Sequence, residues 1–245
     1  MVNAIIMASG LGTRMRPLTE KKPKPLIEVN GISMIETVIN AFQYRNVDEI
    51  YIVVGYLGEQ FKYLTEKYEN IHIMENTAYE SENNISSIYA ARNVLEKGDC
   101  FICEADLYID DNKILDDKSF DMKNAGSCYF GKLVKGFSDD WVFDLDKDGY
   151  ISRVGKNGTD CFNMTGIAFF KYNDAVILKN AIEEQYGKDD YKELFWDDVV
   201  NRNLDKLKLK VHEIDTDQII EIDTVEELEK INLKYKTYKR GNRVL

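Results

Sequence analysis

The feature that most constrains the fold is an alternation. Apolar runs of strand length take turns with amphipathic helical patterns through the first hundred residues. The runs lie near 2–8, 49–55, 71–74 and 99–105, and helical patterns fill 32–44, 58–68 and 84–96. Strands separated by helices imply a mainly parallel sheet covered on both faces, which receives ligands at the carboxyl ends of its strands. The predicted class is therefore α/β, with a Rossmann-like mixed sheet flanked by helices.

The texture changes after about residue 120. Residues 127–134 and 141–146 read as longer strands, and Asp148-Gly149 is a hairpin signal before a strand at 150–154. A further strand near 163–171 precedes helical patterns at 174–186 and 190–203, a strand at 207–214 and a last helix from about 224. This predicts antiparallel members and a small antiparallel substrate-binding extension. With 44% apolar residues over 245 positions, residues 1–235 are expected to form a single domain. Residues 236–245 read as a basic tail, frayed or serving as the stub of a linker.

Several classes are excluded at this level. No apolar run approaches a bilayer span, so no membrane insertion is expected. The N-terminus runs straight into the first strand with no basic region and cleavage site, which predicts a cytoplasmic location. A net charge of −11 disfavours nucleic acid as a partner. Cys100 and Cys103 form a C-x-x-C inside an apolar run without a second pair or a nearby histidine, so buried thiols are expected rather than a metal or redox centre.

The segment Ala8-Ser9-Gly10-Leu11-Gly12-Thr13-Arg14 follows the first strand directly, where a glycine-rich turn can aim backbone N–H groups at phosphate oxygens. It lacks the G-K-[ST] of a Walker loop and the third glycine of a dinucleotide fingerprint. Five cations follow within eleven residues: Arg14, Arg16, Lys21, Lys22 and Lys24, punctuated by Pro17, Pro23 and Pro25. Glycines and arginines alone would suit a solvated loop equally well. The complete arrangement, G-x-G-T-R-x-x-P-L-T followed by P-K-P-L, resembles the signature of the sugar nucleotidyltransferase superfamily. The resemblance implies that the loop backbone wraps a nucleoside triphosphate and that Arg14 and Lys24 neutralise charge as pyrophosphate leaves.

Asp106 closes the strand at 99–105 and so sits at the carboxyl end of a parallel strand, near the same loop. A hard Mg²⁺ takes one or two carboxylates plus phosphate oxygens. A second ligand is expected, and Asp223 is the candidate. By spacing alone, Asp223-Thr224-Val225-Glu226-Glu227 could equally be a helix start with acids in its first turn. The resemblance supplies the metal reading, because the superfamily places one aspartate after the central strand and another before the terminal helix. Where an Asp-Ala-Asp would be expected, the chain has Glu104-Ala105-Asp106.

Residues 79–87 contain Y-x-x-x-N-N-x-x-S, which resembles the stretch beside the base in bacterial CTP:phosphocholine cytidylyltransferases. Asn83, Asn84 and Ser87 could read a cytosine edge, although one asparagine could merely cap a helix. The resemblance continues through residues 54–61, which brings Gly55 and Tyr56 to the nucleotide, and through 195–198 and 220–223. Phosphocholine carries a quaternary ammonium, which aromatic faces and a carboxylate would hold. Trp141 beside Asp139 and Asp140, and Trp196 beside Asp197, are the candidates, with Tyr108 assigned to the same acceptor side. Both tryptophans could instead be ordinary core residues.

The expected activity is transfer of CMP from CTP to phosphocholine, giving CDP-choline and pyrophosphate. The alternatives are the same chemistry on 2-aminoethylphosphonate, phosphoethanolamine or a sugar 1-phosphate, a glycosyltransferase using a nucleotide sugar, and a nucleotide-binding module without turnover. The last is disfavoured because Lys24 and Asp106 are both present.

Overall fold

Val2–Ala8 forms β1 with both faces buried, as the central strand of a covered parallel sheet requires. Ile5 joins one apolar cluster while Ala4, Ile6 and Ala8 join another, following the period of two along a strand. The structure is a computed structural model and describes residues 1–116, 118–215 and 217–241, with side chains described as far as residue 234.

After the glycine-rich loop the chain makes a minor hairpin of β2 (Glu28–Val29) and β3 (Ile32–Ser33), then α1 (Met34–Arg45). It continues through β4 (Glu49–Val54), α2 (Tyr63–Lys67), β5 (Ile71–Glu75), α3 (Ile85–Ala91), β6 (Asp99–Glu104) and β7 (Leu107–Ile109). Then come β8 (Cys128–Leu145), β9 (Ile151–Phe170), α4 (Tyr172–Gln185), α5 (Trp196–Asn201), β10 (Lys210–Glu213), β11 (Ile219–Glu221) and α6 (Val225–Gly241). The main sheet has the order β10-β8-β9-β6-β1-β4-β5. β6, β1, β4 and β5 are mutually parallel, and β9 joins β6 antiparallel.

One face is covered by α1 and α2, through Val38, Ile39, Phe42 and Leu64. The other is covered by α3, α4 and α5, through Ile88, Leu178, Ile182 and Trp196. Strand order reverses between β1 and β6, so the crevice outside their carboxyl ends is the natural ligand site.

The predicted α/β class is the observed one, with differences in detail. The two strand segments expected on either side of residue 137 are joined in β8, and those at 150–154 and 163–171 are joined in β9. Register shifts near Val134 and Ser138 interrupt the ladder between β8 and β9, which remain members of the main sheet. The helix expected at 190–203 shrinks to α5, because Asp198 accepts the Phe195 N–H at 2.9 Å and starts the helix there, leaving Leu194 and Phe195 extended. β7 and β11, which pair with each other, were not legible as strands. α6 continues to Gly241, and residues 242–245 of the expected tail lie outside the described residues.

Candidate active site

The loop after β1 is held open by its own backbone. Ser9 is buried, its hydroxyl donates to the Val53 carbonyl at 3.0 Å, and its carbonyl accepts the Tyr56 N–H at 3.1 Å. Gly12 has φ of 60°, and a Cβ there would lie 2.9 Å from Lys24 Cβ and 3.1 Å from Thr19 Cγ2. Only glycine lets the loop take that turn while Lys24 passes behind it. Thr19 Oγ1 donates to the Gly12 carbonyl at 2.8 Å, and Tyr56 Oη donates to the Thr19 carbonyl at 3.0 Å. Tyr56 therefore braces the loop from outside. Gly55 allows a different close approach, since a Cβ there would lie 2.6 Å from the Tyr79 ring.

Lys24 is 7% exposed and reaches the bottom of the crevice. Its Nζ donates to Asp106 Oδ2 at 2.6 Å and to Asp223 Oδ1 at 2.7 Å, and Arg14 Nη2 donates to the same Asp223 oxygen at 2.7 Å. Burial works to strip the proton from Lys24, but the two aspartates outweigh it and raise its pKa. β6 delivers Asp106. Asp223 arrives through the antiparallel register of β7 and β11, in which Tyr108 faces Ile220 and the Ile222 N–H donates to the Asp106 carbonyl at 3.2 Å. Asp223 also stands at a helix start, since Glu227 accepts the N–H groups of Asp223 and Thr224 and donates its own to Thr224 Oγ1. The two readings of that segment are thus compatible.

Glu104, Asp106 and Glu221 bring one carboxylate oxygen each within 4.8 Å of one another. Burial together with Asp106 pushes the carboxyl of Glu104 well above the carboxylate range, and burial with Asp106 and Asp223 pushes that of Glu221 up to about 8. An all-oxygen donor set under such mutual repulsion suits a hard divalent cation. The residues present therefore fit a metal of the Mg²⁺ class, with Asp106 common to the trio and to the Lys24 bridge.

Two cavities of about 490 Å³ each meet at Arg14, Glu104, Asp106 and Asp223, a size range suited to small ligands. The first is walled by Ala8, Ser9, Gly10, Gly12, Thr13, Lys24, Asn83, Asn84 and Ser87, so most of the expected nucleotide residues come together. Leu11 is not on that wall. A smaller annex adds Asn76, Tyr79, Glu82 and Ser86. Asn76, which the sequence did not single out, donates to the hydroxyls of Ser86 and Ser87 at 2.9 and 3.2 Å. Asn84 stands at the N-cap position of α3 but spends its side-chain oxygen on the Trp196 N–H at 3.0 Å. Asn83 accepts the Asn84 N–H at 2.9 Å and donates to the Glu193 carbonyl at 3.2 Å.

The second cavity is lined by Asp139, Asp140, Trp141, Lys156, Met164, Gly166, Phe195 and Glu221. Trp141 is on this wall. Trp196 and Asp197 are not: they are 3% and 2% exposed, with Trp196 packed 5.7 Å from Tyr129 and Asp197 accepting the Tyr129 hydroxyl at 2.9 Å. Phe195 takes the wall instead, with an extended backbone and its ring 5.2 Å from that of Trp141. Tyr108 is buried with Met15, Met34 and Ile222, its hydroxyl donating to Asp110 at 2.8 Å. It belongs to the packing beneath the site.

A family model described as nucleotidyl transferase matches residues 3–130. The chain is 52% identical over 226 residues to the 2-aminoethylphosphonate cytidylyltransferase of Lancefieldella rimae, covering 92% of this chain and 90% of that one. It is 31% identical over 230 residues to the choline-phosphate cytidylyltransferase of Streptococcus pneumoniae, covering 94% and 96%. A solved structure of the CTP:phosphocholine cytidylyltransferase from Streptococcus pneumoniae superposes with a TM-score of 0.86 at 31% identity, over 96% of this chain and 99% of that one. Among the described residues no helix is long and apolar enough to cross a membrane.

Proposed function

The chain belongs to the nucleotidyl transferase family, and on that premise we propose that it joins CMP from CTP to 2-aminoethylphosphonate, releasing pyrophosphate. The observation that carries the reading is the meeting of a phosphate-loop cavity and an acid-lined cavity at the Lys24, Asp106 and Asp223 centre. One cavity suits a triphosphate and the other a small cationic acceptor.

The acceptor reading moves from phosphocholine, first in expectation, to the aminophosphonate. Two features support the change. The relative at 52% identity carries that activity in its name. The acceptor wall is also richer in carboxylates than in aromatic faces, now that Trp196 is in the core. A primary ammonium has three N–H donors and is satisfied by carboxylates, whereas a trimethylammonium has none and needs aromatic faces.

In the reaction a phosphonate oxygen attacks the α-phosphorus of CTP in line. A P–O bond forms, the bond from the α-phosphorus to the bridging oxygen breaks, and pyrophosphate departs with the electron pair. No covalent enzyme intermediate is needed, because the acceptor is already a nucleophile. Arg14 and Lys24 oppose the charge that develops on the phosphates, and the loop backbone orients them. Asp106, with Glu104 and Glu221 beside it and Asp223 as the expected second ligand, would hold Mg²⁺, which when bound supplies further charge neutralisation.

The test is pyrophosphate release from CTP measured in parallel with 2-aminoethylphosphonate, phosphoethanolamine, phosphocholine and glucose 1-phosphate. The aminophosphonate is expected to give the highest kcat/KM. A preference for phosphocholine would return the acceptor to the first expectation, and no release with any acceptor would sink nucleotidyl transfer by this chain.

A further inference from the structure

The acceptor cavity contains a lysine for which the transfer chemistry has no role. Lys156 is the register partner of Trp141 across β8 and β9, so the backbone itself brings this ammonium to the indole. Its Nζ lies 5.8 Å from the Trp141 ring centroid and 5.5 Å from that of Phe195. The two rings stand edge to face, 5.2 Å apart, and both line the cavity. Among the described residues Lys156 has no carboxylate ion-pair partner, although Asp139 and Asp140 line the same cavity. The lysine faces the rings, and neither Asp139 nor Asp140 has an ion-pair partner among the described residues, although Asp140 Oδ1 accepts the Trp141 backbone N–H at 2.8 Å.

An aromatic pair next to carboxylates attracts any cation, and a quaternary ammonium depends on those faces because it cannot donate hydrogen bonds. Here the chain presents a cation of its own to them. We propose that Lys156 is a specificity-determining residue. Its ammonium fills the aromatic seat and repels a second positive charge there, so acceptors with a methylated ammonium are rejected. A primary ammonium is unaffected, because Asp139 and the second oxygen of Asp140 on the same wall can take its N–H donors. This is discrimination by obstruction of the wrong ligand. It rests on the cytidylyl-transfer reading and deepens it.

The experiment measures kcat/KM with CTP for 2-aminoethylphosphonate, phosphoethanolamine and phosphocholine, the last two differing only in methylation. The full chain is compared with Lys156→Gln, Lys156→Met, Lys156→Arg and the double variant Lys156→Gln with Trp141→Ala. Removing the charge is expected to raise the ratio of phosphocholine to phosphoethanolamine activity about tenfold. Lys156→Arg keeps the cation and leaves the ratio low, and the gain disappears when Trp141 is also removed. An unchanged ratio in both neutral variants overturns the proposal. So does an equal loss on all acceptors, which would make Lys156 a ligand of the phosphate or phosphonate they share. A gain that survives loss of Trp141 overturns the aromatic seat. The wild-type acceptor order tests the proposed function separately, so a chain that prefers the aminophosphonate but shows no shift on substitution refutes only the role of Lys156.

Discussion

A lysine as deeply buried as Lys24 would ordinarily give up its proton, yet two aspartates hold it charged. On the proposed function, Lys24→Ala removes the group that stabilises the leaving phosphates and leaves Asp106 without its cation, while Asp223 keeps only Arg14. It is expected to lower kcat by about 10²-fold or more at saturating substrates. Steady-state turnover decides this, and a near-normal kcat would remove Lys24 from the mechanism. Asp197 makes the opposite case. Burial, opposed by the Tyr129 hydroxyl and helped by Asp198, pushes its carboxyl from 3.8 up to about 7. The folded state therefore holds a proton that the unfolded chain has lost between roughly pH 4 and pH 7, and stability falls as pH rises through that window. Thermal unfolding of Asp197→Asn across pH 4 to 8 is expected to show a flatter profile than wild type, with the acceptor KM nearly unchanged. A large rise in that KM instead would put Asp197 back in the binding site.

At the scale of elements, the loop between β1 and the 3₁₀ turn at Thr13–Met15 is a tight, pre-set cradle. Gly12→Ala would meet both a left-handed φ and the Lys24 side chain, so it is expected to displace Lys24 and cost at least about tenfold in kcat/KM with a modest change in melting temperature. Gly10 has nothing within 4 Å of a Cβ, so Gly10→Ala is expected to fold normally and act through crowding of the nucleotide. Kinetics with CTP as the varied substrate separates the two, and equal effects would contradict the assigned geometry. The loop was legible in sequence because its parts are neighbours along the chain. β7 and β11 were not: each has three residues, too short for a periodic pattern to declare itself. Yet their pairing is what carries Asp223 to Asp106.

For the whole molecule, the two cavities share one wall segment at Arg14, Glu104, Asp106 and Asp223, so under the proposed function both substrates bind together. Initial-rate plots with both substrates varied are expected to intersect, and pyrophosphate is expected only when an acceptor is present. Parallel lines or a burst without acceptor would indicate a covalent intermediate. Chelation of divalent metal is expected to abolish turnover and Mg²⁺ to restore it, measured by pyrophosphate release; full activity in chelator would contradict the role given to Asp106 and Asp223. The sequence by itself determined the α/β alternation, the glycine-rich basic loop from Ser9 to Lys24 and the position of Asp106, because those features follow from local periodicity and from residues close along one strand–loop unit. Only the tertiary structure decided the wall of the second cavity. Whether Trp196 or Phe195 faces the cavity turns on where α5 begins, and whether Lys156 meets Trp141 turns on the register of β8 with β9. A shift of one residue in either would exchange core for surface, and neither shift leaves a mark on composition or spacing.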